Sequence, residues 1–312
     1  MSPITDRSSG GAERMDPVQD PTVQRRRLSL ELRRARDAVK FKQAEVAQAM
    51  DWSSSKLVRI ERGDVNVSTN DLKALLDHYG VKDEARVEEL LELARSARGT
   101  SFYDQFSELV KSGFKEYLGY EASASVIRQY DPILIPGLLQ TEEYARGLFE
   151  GHRFDADRAD RLWALRQHRQ LVHDRSRPPD MNFVLDEAAL RRRIGVGHTM
   201  LHQLEQLREM AKRDYITIQI IPFARGAHPG LDGNFIILEF DDPSLNDLVH
   251  LESINQVTVK DDVDLIARYL DRFEFLRKIA LSPKSSRDFL DQLIEDMRAT
   301  TQSKNSAPKE AV

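Results

Sequence analysis

The stretch KQAEVAQAMDWSSSKLVRIERG, Lys42 to Gly63, leaves little freedom of local structure. Apolar side chains at Val46 and Ala47, then at Leu57 and Ile60, recur at helical spacing on either side of the break Asp51-Trp52-Ser53. A break that short is a tight turn. Two helices, from about Gln43 to Met50 and from Ser54 to Arg62, therefore cross at close range. Val46, Ala47, Trp52, Leu57 and Ile60 would pack in the crossing, and the small Ala47 lets the helices approach. Leu28, Leu32 and Ala35 before this segment, and Leu72, Leu75 and Leu76 after it, form two more helical stripes. Ser53 and Ser68 stand at N-cap positions, and Gly63 and Gly80 stand where a C-terminal glycine ends a helix. Residues 25–80 thus read as an all-α domain.

Charge separates this segment from the rest. Arg25 to Arg62 holds eleven Lys/Arg against five Asp/Glu, whereas residues 63–312 hold 33 against 42, and the whole chain carries −5. A basic patch on an acidic protein guides a polyanion to one face and repels it elsewhere. The outer face of the second crossing helix offers Ser54, Ser55, Lys56 and Arg59. The start of such a helix enters a major groove roughly 12 Å wide, where Arg59 can pair with guanine and the serines with several base edges. Gln43, at a helix start, can anchor a phosphate, with Arg33, Lys40, Lys42, Arg62 and Ser53 as further backbone contacts. Arg36 and Glu61 read differently. Glu61 faces the first helix, so an Arg36–Glu61 ion pair is expected to hold helices one and three together.

The 312 residues suffice for about two domains. The absence of cysteine excludes disulfides, thiolate metal sites and Cys nucleophiles, and suits a reducing, cytoplasmic setting. The longest aliphatic run, Ile133 to Leu139, is interrupted by Pro136-Gly137 and is far below the roughly 20 apolar residues of a membrane span. The N-terminus has no apolar core of a secretory signal. Residues 1–24, rich in Ser, Gly, Asp and Pro, read as a disordered arm; residues 81–101 as a linker helix; and residues 299–312 as a disordered tail. Residues 102–298 read as α+β. Helices are expected over Phe102–Leu118, from Thr141, and over Asp157–Asp174, His198–Arg213, Asp262–Ala280 and Ser285–Met297. Strands are expected over Ser125–Tyr130, Met181–Leu185, Tyr215–Ile221, Phe235–Phe240 and Leu248–Leu251, with alternation in Tyr215–Ile221 predicting a half-buried strand.

Leu32, Arg33 and Arg36 ahead of Gln43, then Val46-Ala47, then the run RIERG from Arg59 to Gly63, resemble the helix-turn-helix domain of the XRE family, the lambda-repressor-like DNA-binding domains. The resemblance covers residues 28–80. It implies that Gln43 is the phosphate anchor, that Ser54, Ser55 and Arg59 lie at base-reading positions, and that Arg36–Glu61 is the structural pair. Lys40 and Asp51 stand where that family usually has glycine. A second resemblance spans most of residues 102–281. YLGYEASA (117–124), IPGLLQTEEYAR (135–146), LRQHRQ (165–170), VLDEAALRRR (184–193), QIIPFARGAH (219–228) and GNFIILEF (233–240), with Glu252, resemble the uncharacterised C-terminal domain attached to many such regulators in filamentous actinobacteria. It implies regulation of development or secondary metabolism, or an antitoxin-like role beside a small partner protein encoded nearby.

Other chemistry is thinly represented. His198 and His202 share a helix face, but Thr199 stands where a zincin has glutamate. Glu121, Glu187 and Glu252 have no activated nucleophile beside them, and GxSxG, P-loop and GxGxxG motifs are absent. Arg166, Arg169 and Gln170, with Glu187 and Glu252, are the candidates for a ligand or partner site, against the plainer reading of a salt-bridged helix surface. The expectation is a dimeric, sequence-specific DNA-binding transcriptional regulator, not an enzyme, with no cofactor or metal. It would read double-stranded DNA through helix 54–62. Its C-terminal domain would serve dimerisation and control by a partner protein or small-molecule effector. The alternatives are an antitoxin-like protein that neutralises a small partner, or a small-molecule-sensing repressor.

Overall fold

A computed structural model describes residues 20–111, 113–253 and 257–306. Five helices form the first domain: α1 (Pro21–Ala38), α2 (Gln43–Ala49), α3 (Ser54–Arg62), α4 (Thr69–His78) and α5 (Glu84–Ser96). The stripes read from the sequence meet in one core of Leu28, Leu32, Val46, Leu57, Leu72 and Leu75. Ser53 and Ser68 cap α3 and α4 by accepting from the amides of Lys56 and Asp71. Such caps contribute about 1 kcal/mol each. Gly63 ends α3 with φ of 76°, the left-handed turn that a Cβ would oppose. Two boundaries differ from expectation. The segment 81–101 is not a bare linker, because α5 buries Leu90, Leu91 and Ala94 in the same core. The disordered arm cannot reach residue 24: Pro21 starts α1, Asp20 caps it by accepting from Thr22, and Thr22, Val23 and Gln24 are buried. Residues 1–19 lie outside the described residues.

The second domain is built on one mixed sheet of six strands among the described residues, ordered β3-β2-β1-β4-β5-β6. They are β1 (Val126–Asp131), β2 (Asp180–Asp186), β3 (Ile216–Ile221), β4 (Phe235–Glu239), β5 (Leu248–Glu252) and β6 (Val257–Lys260). β1, β2 and β3 run parallel, and β4, β5 and β6 continue antiparallel from β1. The parallel strands need long crossovers. α7 (Glu142–Gly151) and α8 (Ala156–Gln170) supply the first, and α9 (Glu187–Arg191) and α10 (Thr199–Met210) the second. α6 (Phe114–Glu121) precedes the sheet; α11 (Val263–Ile279) and α12 (Pro283–Ser306) follow it. This is the α+β domain expected.

Strand periodicity sends side chains into two cores. Ile127, Phe183, Leu185, Ile218 and Ile220 face α6, α10 and α12. Tyr130, Val184, Ile221, Phe235 and Ile237 face Phe273 and Leu276 of α11. Tyr215–Ile221 was expected to be half-buried, yet Gln219 lies inside as well. α11 closes that face, and Gln219 Nε2 donates to the carbonyls of Arg277 and Leu281. Phe102–Leu118 is not one helix: a 3-10 turn covers Phe102–Phe106, and α6 starts separately after Gly113, whose φ is 86°. The expected tail from 299 instead continues α12 to Ser306, with 307–312 outside the described residues. Strand β6 was not foreseen, being only four residues long. No helix among the described residues is long and apolar enough to cross a membrane.

The two domains share α1. Its first turn lies on α6 at Gly119, where a methyl group would stand 2.8 Å from Asp20 Oδ1 and 2.9 Å from Thr22 Cβ. Ser101 Oγ donates to Asp20 Oδ2 at 2.7 Å. Arg26 pairs with Asp261, and Arg27 lies 3.5 Å from Asp242.

Asp131 ends β1 fully inside the fold, and burial pushes its carboxyl up to about 8. Gln129 Nε2 donates to it at 2.6 Å. The folded state therefore holds this proton more tightly than the unfolded chain, whose aspartate titrates near about 4. Its contribution to stability is full below about pH 4, falls as the pH rises towards 8, and is lost above. Asp131→Asn should match the parent at pH 4 and exceed it at pH 8, read as the denaturant midpoint at the two pH values.

Candidate nucleic-acid interface

The turn before α3 places it. Met50 caps α2, Asp51 takes a left-handed φ of 54°, and the Trp52 amide closes on the Ala47 carbonyl at 2.8 Å. Lys40 does the same between α1 and α2, with φ of 59°. These are the two positions where the sequence lacks the glycine of the resembling family, and the backbone keeps the glycine-like conformation. Past Ser53, Leu57 and Ile60 lock α3 onto Val46 and Ala47, all at most 3% exposed.

Glu61 then anchors the three helices. It is 1% exposed. Arg36 Nε and NH2 donate to its two carboxylate oxygens at 2.7 and 3.0 Å, and Gln43 Nε2 donates to Oε2 at 2.8 Å. Arg33 NH2 takes the Glu61 carbonyl at 2.9 Å, and Arg36 NH1 takes that of Phe41. The bonds to Glu61 hold the Arg36 guanidinium above its ordinary pKa. Burial, then the Glu61 charge, pushes the Tyr79 phenol well up.

Ser54, Ser55, Arg59 and Arg62 remain on the solvent face of α3, all exposed. Ser55 and Arg59 are four residues apart, hence on one face. Lys40 and Lys42 are exposed, and the Lys42 amide donates to Glu45. Lys56 is placed differently from the expected base reader. Its Nζ lies 3.8 Å from the Trp52 ring centroid and 3.0 Å from Asp71 Oδ2. Gln43 and Arg33, expected on phosphates, each commit a donor to Glu61. Ser53 spends its oxygen on the cap and on Ser55 at 3.0 Å. The Trp52–Lys56 contact was visible as an i, i+4 pair, but Trp52 had been assigned wholly to packing.

The candidates in the second domain do not converge on one site. Arg169 is buried in a two-bond pair with Glu121, at 2.7 and 2.8 Å. Against the burial that would raise it, Arg169 holds the Glu121 carboxyl below its usual value. Arg166 bonds the Gln140 side chain, and Gln170 bonds the carbonyls of Gly137 and Gln140. These two hold the Pro-Gly loop rather than an open pocket. Glu187 is taken by the Phe223 amide and Arg191, and Glu252 by Lys111. His202 faces Glu143. Sequence reasoning missed a cavity of about 240 Å³ between α1 and the second domain, of whose lining it weighed only Glu121 and Arg169. Its walls come from four distant segments, so no local pattern marks it.

Glu61→Ala removes the two-bond partner of Arg36, leaving it Asp37, at 2.7 Å, as its only carboxylate partner among the described residues, and should destabilise the chain by about 3 kcal/mol in denaturant unfolding. Asp51→Gly relieves a left-handed conformation and should raise stability by up to about 1 kcal/mol, seen as a higher thermal midpoint.

Residues 27–90 match a family model described as a helix-turn-helix domain. Residues 114–292 match the model of a domain of unknown function, DUF5753. No curated protein and no solved structure matched. The second model spans more than half of the 312 residues, so the chain belongs to the DUF5753 family and carries a helix-turn-helix domain ahead of that domain.

Proposed function

We propose that this chain is a sequence-specific, DNA-binding transcriptional regulator of the lambda-repressor-like kind, and not an enzyme. The observation that carries this reading is the face of α3. Ser54, Ser55 and Arg59 stand exposed on a short helix whose opposite side is locked by Leu57, Ile60 and Glu61. A rigid helix with a free guanidinium one turn past two hydroxyls suits base edges in a major groove. Arg62, Lys40 and Lys42 supply phosphate contacts around it. Gln43 keeps one amide hydrogen for the same use, since Glu61 occupies only the other.

One helix-turn-helix covers little DNA. Two copies on half-sites about 34 Å apart are the geometry that gives useful affinity. Dimerisation, and control by a partner protein or a small effector, fall to the DUF5753 domain.

Arg59→Ala should weaken the cognate site by about 1–3 kcal/mol and relax base preference at one position. Lys42→Ala should weaken all sequences alike and reduce the salt slope by about one. Titrations of both variants against cognate and scrambled duplexes at several salt concentrations distinguish these outcomes. Equal losses on both duplexes for Arg59→Ala would remove α3 from the base-reading role.

A further inference from the structure

The cavity between the domains has the features of a small-molecule site. It holds about 240 Å³, below the roughly 300–1,000 Å³ of pockets for drug-sized ligands. One wall is the start of α1, Asp20 and Pro21; the others include Phe102, Tyr103, Leu171 and Val172. Phe102 lies flat on His168 with ring centroids 3.5 Å apart, and Tyr103 stands edge-on to the same ring. The apolar part of an occupant is thus bounded by aromatic and branched side chains.

The polar groups are unequally satisfied. Arg169 and Glu121 neutralise each other, with Tyr117 donating to Glu121 as well. Both Asp20 oxygens are taken, by the Thr22 amide and Ser101. Arg175 has no carboxylate partner among the described residues; it donates only to the Ala122 carbonyl. Burial depresses its pKa, and nearby Tyr103 and Glu121 offset this only in part. His168 Nδ1 is buried without a hydrogen-bond partner among the described residues. The four charged groups of the lining balance, Asp20 and Glu121 against Arg169 and Arg175, but Asp20 is satisfied at the start of α1 while Arg175 keeps N–H donors to spare. An aromatic slot with such a guanidinium suits a ring that carries a carboxylate.

Position makes such a ligand consequential. It would touch the first turn of α1, an 18-residue helix about 27 Å long. Near the other end of that helix, Arg36 grips Glu61 of α3. We propose that this cavity is an effector site for a small single-ring aromatic carboxylate held by Arg175, and that α1 relays its occupancy to the DNA-reading helix. The relay rests on the DNA-reading role given above; the site does not.

The test uses the full chain, with benzoate as probe and benzamide as its neutral counterpart. Benzoate in the millimolar range should raise the thermal midpoint, and benzamide should not. Arg175→Gln should weaken benzoate by at least about tenfold, as expected for loss of a charge-assisted pair. Leu171→Trp, at a half-exposed wall position, should fill the cavity and abolish the response while keeping the parent fold. No benzoate binding, equal binding of benzamide, or unchanged binding by Arg175→Gln or Leu171→Trp overturns the site. Selection from a random duplex library, run in parallel, tests DNA reading independently of the probe. If a preferred sequence emerges, benzoate should change its affinity about fivefold or more, the usual scale of coupling, in the parent and not in Leu171→Trp. Unchanged affinity with benzoate bound overturns the relay. If no sequence is selected while benzoate binds through Arg175, the DNA-reading role falls and the site stands.

Discussion

A single buried carboxylate organises the first domain. Burying an ionised Glu61 costs several kcal/mol unless its oxygens are fully bonded. Arg36 supplies two bonds from α1 and Gln43 a third from α2, while Arg33 takes the backbone carbonyl of the same residue. Glu61 itself belongs to α3. The carboxylate thus sets the angle between three helices, and that angle decides where α3 points. Hydrophobic packing of Leu57 and Ile60 supplies most of the drive for association, but it is non-directional. The hydrogen bonds make the arrangement specific. They also explain why Arg33 and Gln43 look inward: the node draws on side chains that would otherwise lie free at the surface.

The second domain repeats this solution. Glu121 of α6 and Arg169 of α8 form a buried pair, and Arg166 and Gln170 of the same helix bind the loop at 137–140. One face of α8 therefore fastens the sheet's first crossover. A sheet covered on both faces needs such devices, because each polar side chain caught between layers must find a partner. Gln219, bonded to two carbonyls behind β3, is another instance.

The domains are not beads on a string. α1 begins against α6 and ends at the Glu61 node, so the helix that braces α3 is also a wall of the interdomain cavity. The close approach depends on Gly119, where no side chain intervenes. Movement at one end of a stiff helix is felt at the other, which gives the fold a physical path between its halves.

Local information in the sequence was enough for the helices of the first domain, the caps Ser53 and Ser68, the turn at 51–53 and five of the six strands. Each depends on spacing within a few residues, and the 3.6 and 2 periodicities report that directly. Tertiary structure alone decided the rest. It drew Lys56 onto Trp52 and Asp71, turned Gln43 and Arg33 towards Glu61, closed both faces of β3, and carried α1 back into residues with the composition of a flexible arm. The reason is common to all four: a polar group's partner, and a weak segment's burial, depend on residues that are remote or on another face, and desolvation free energy is settled only once those surfaces meet.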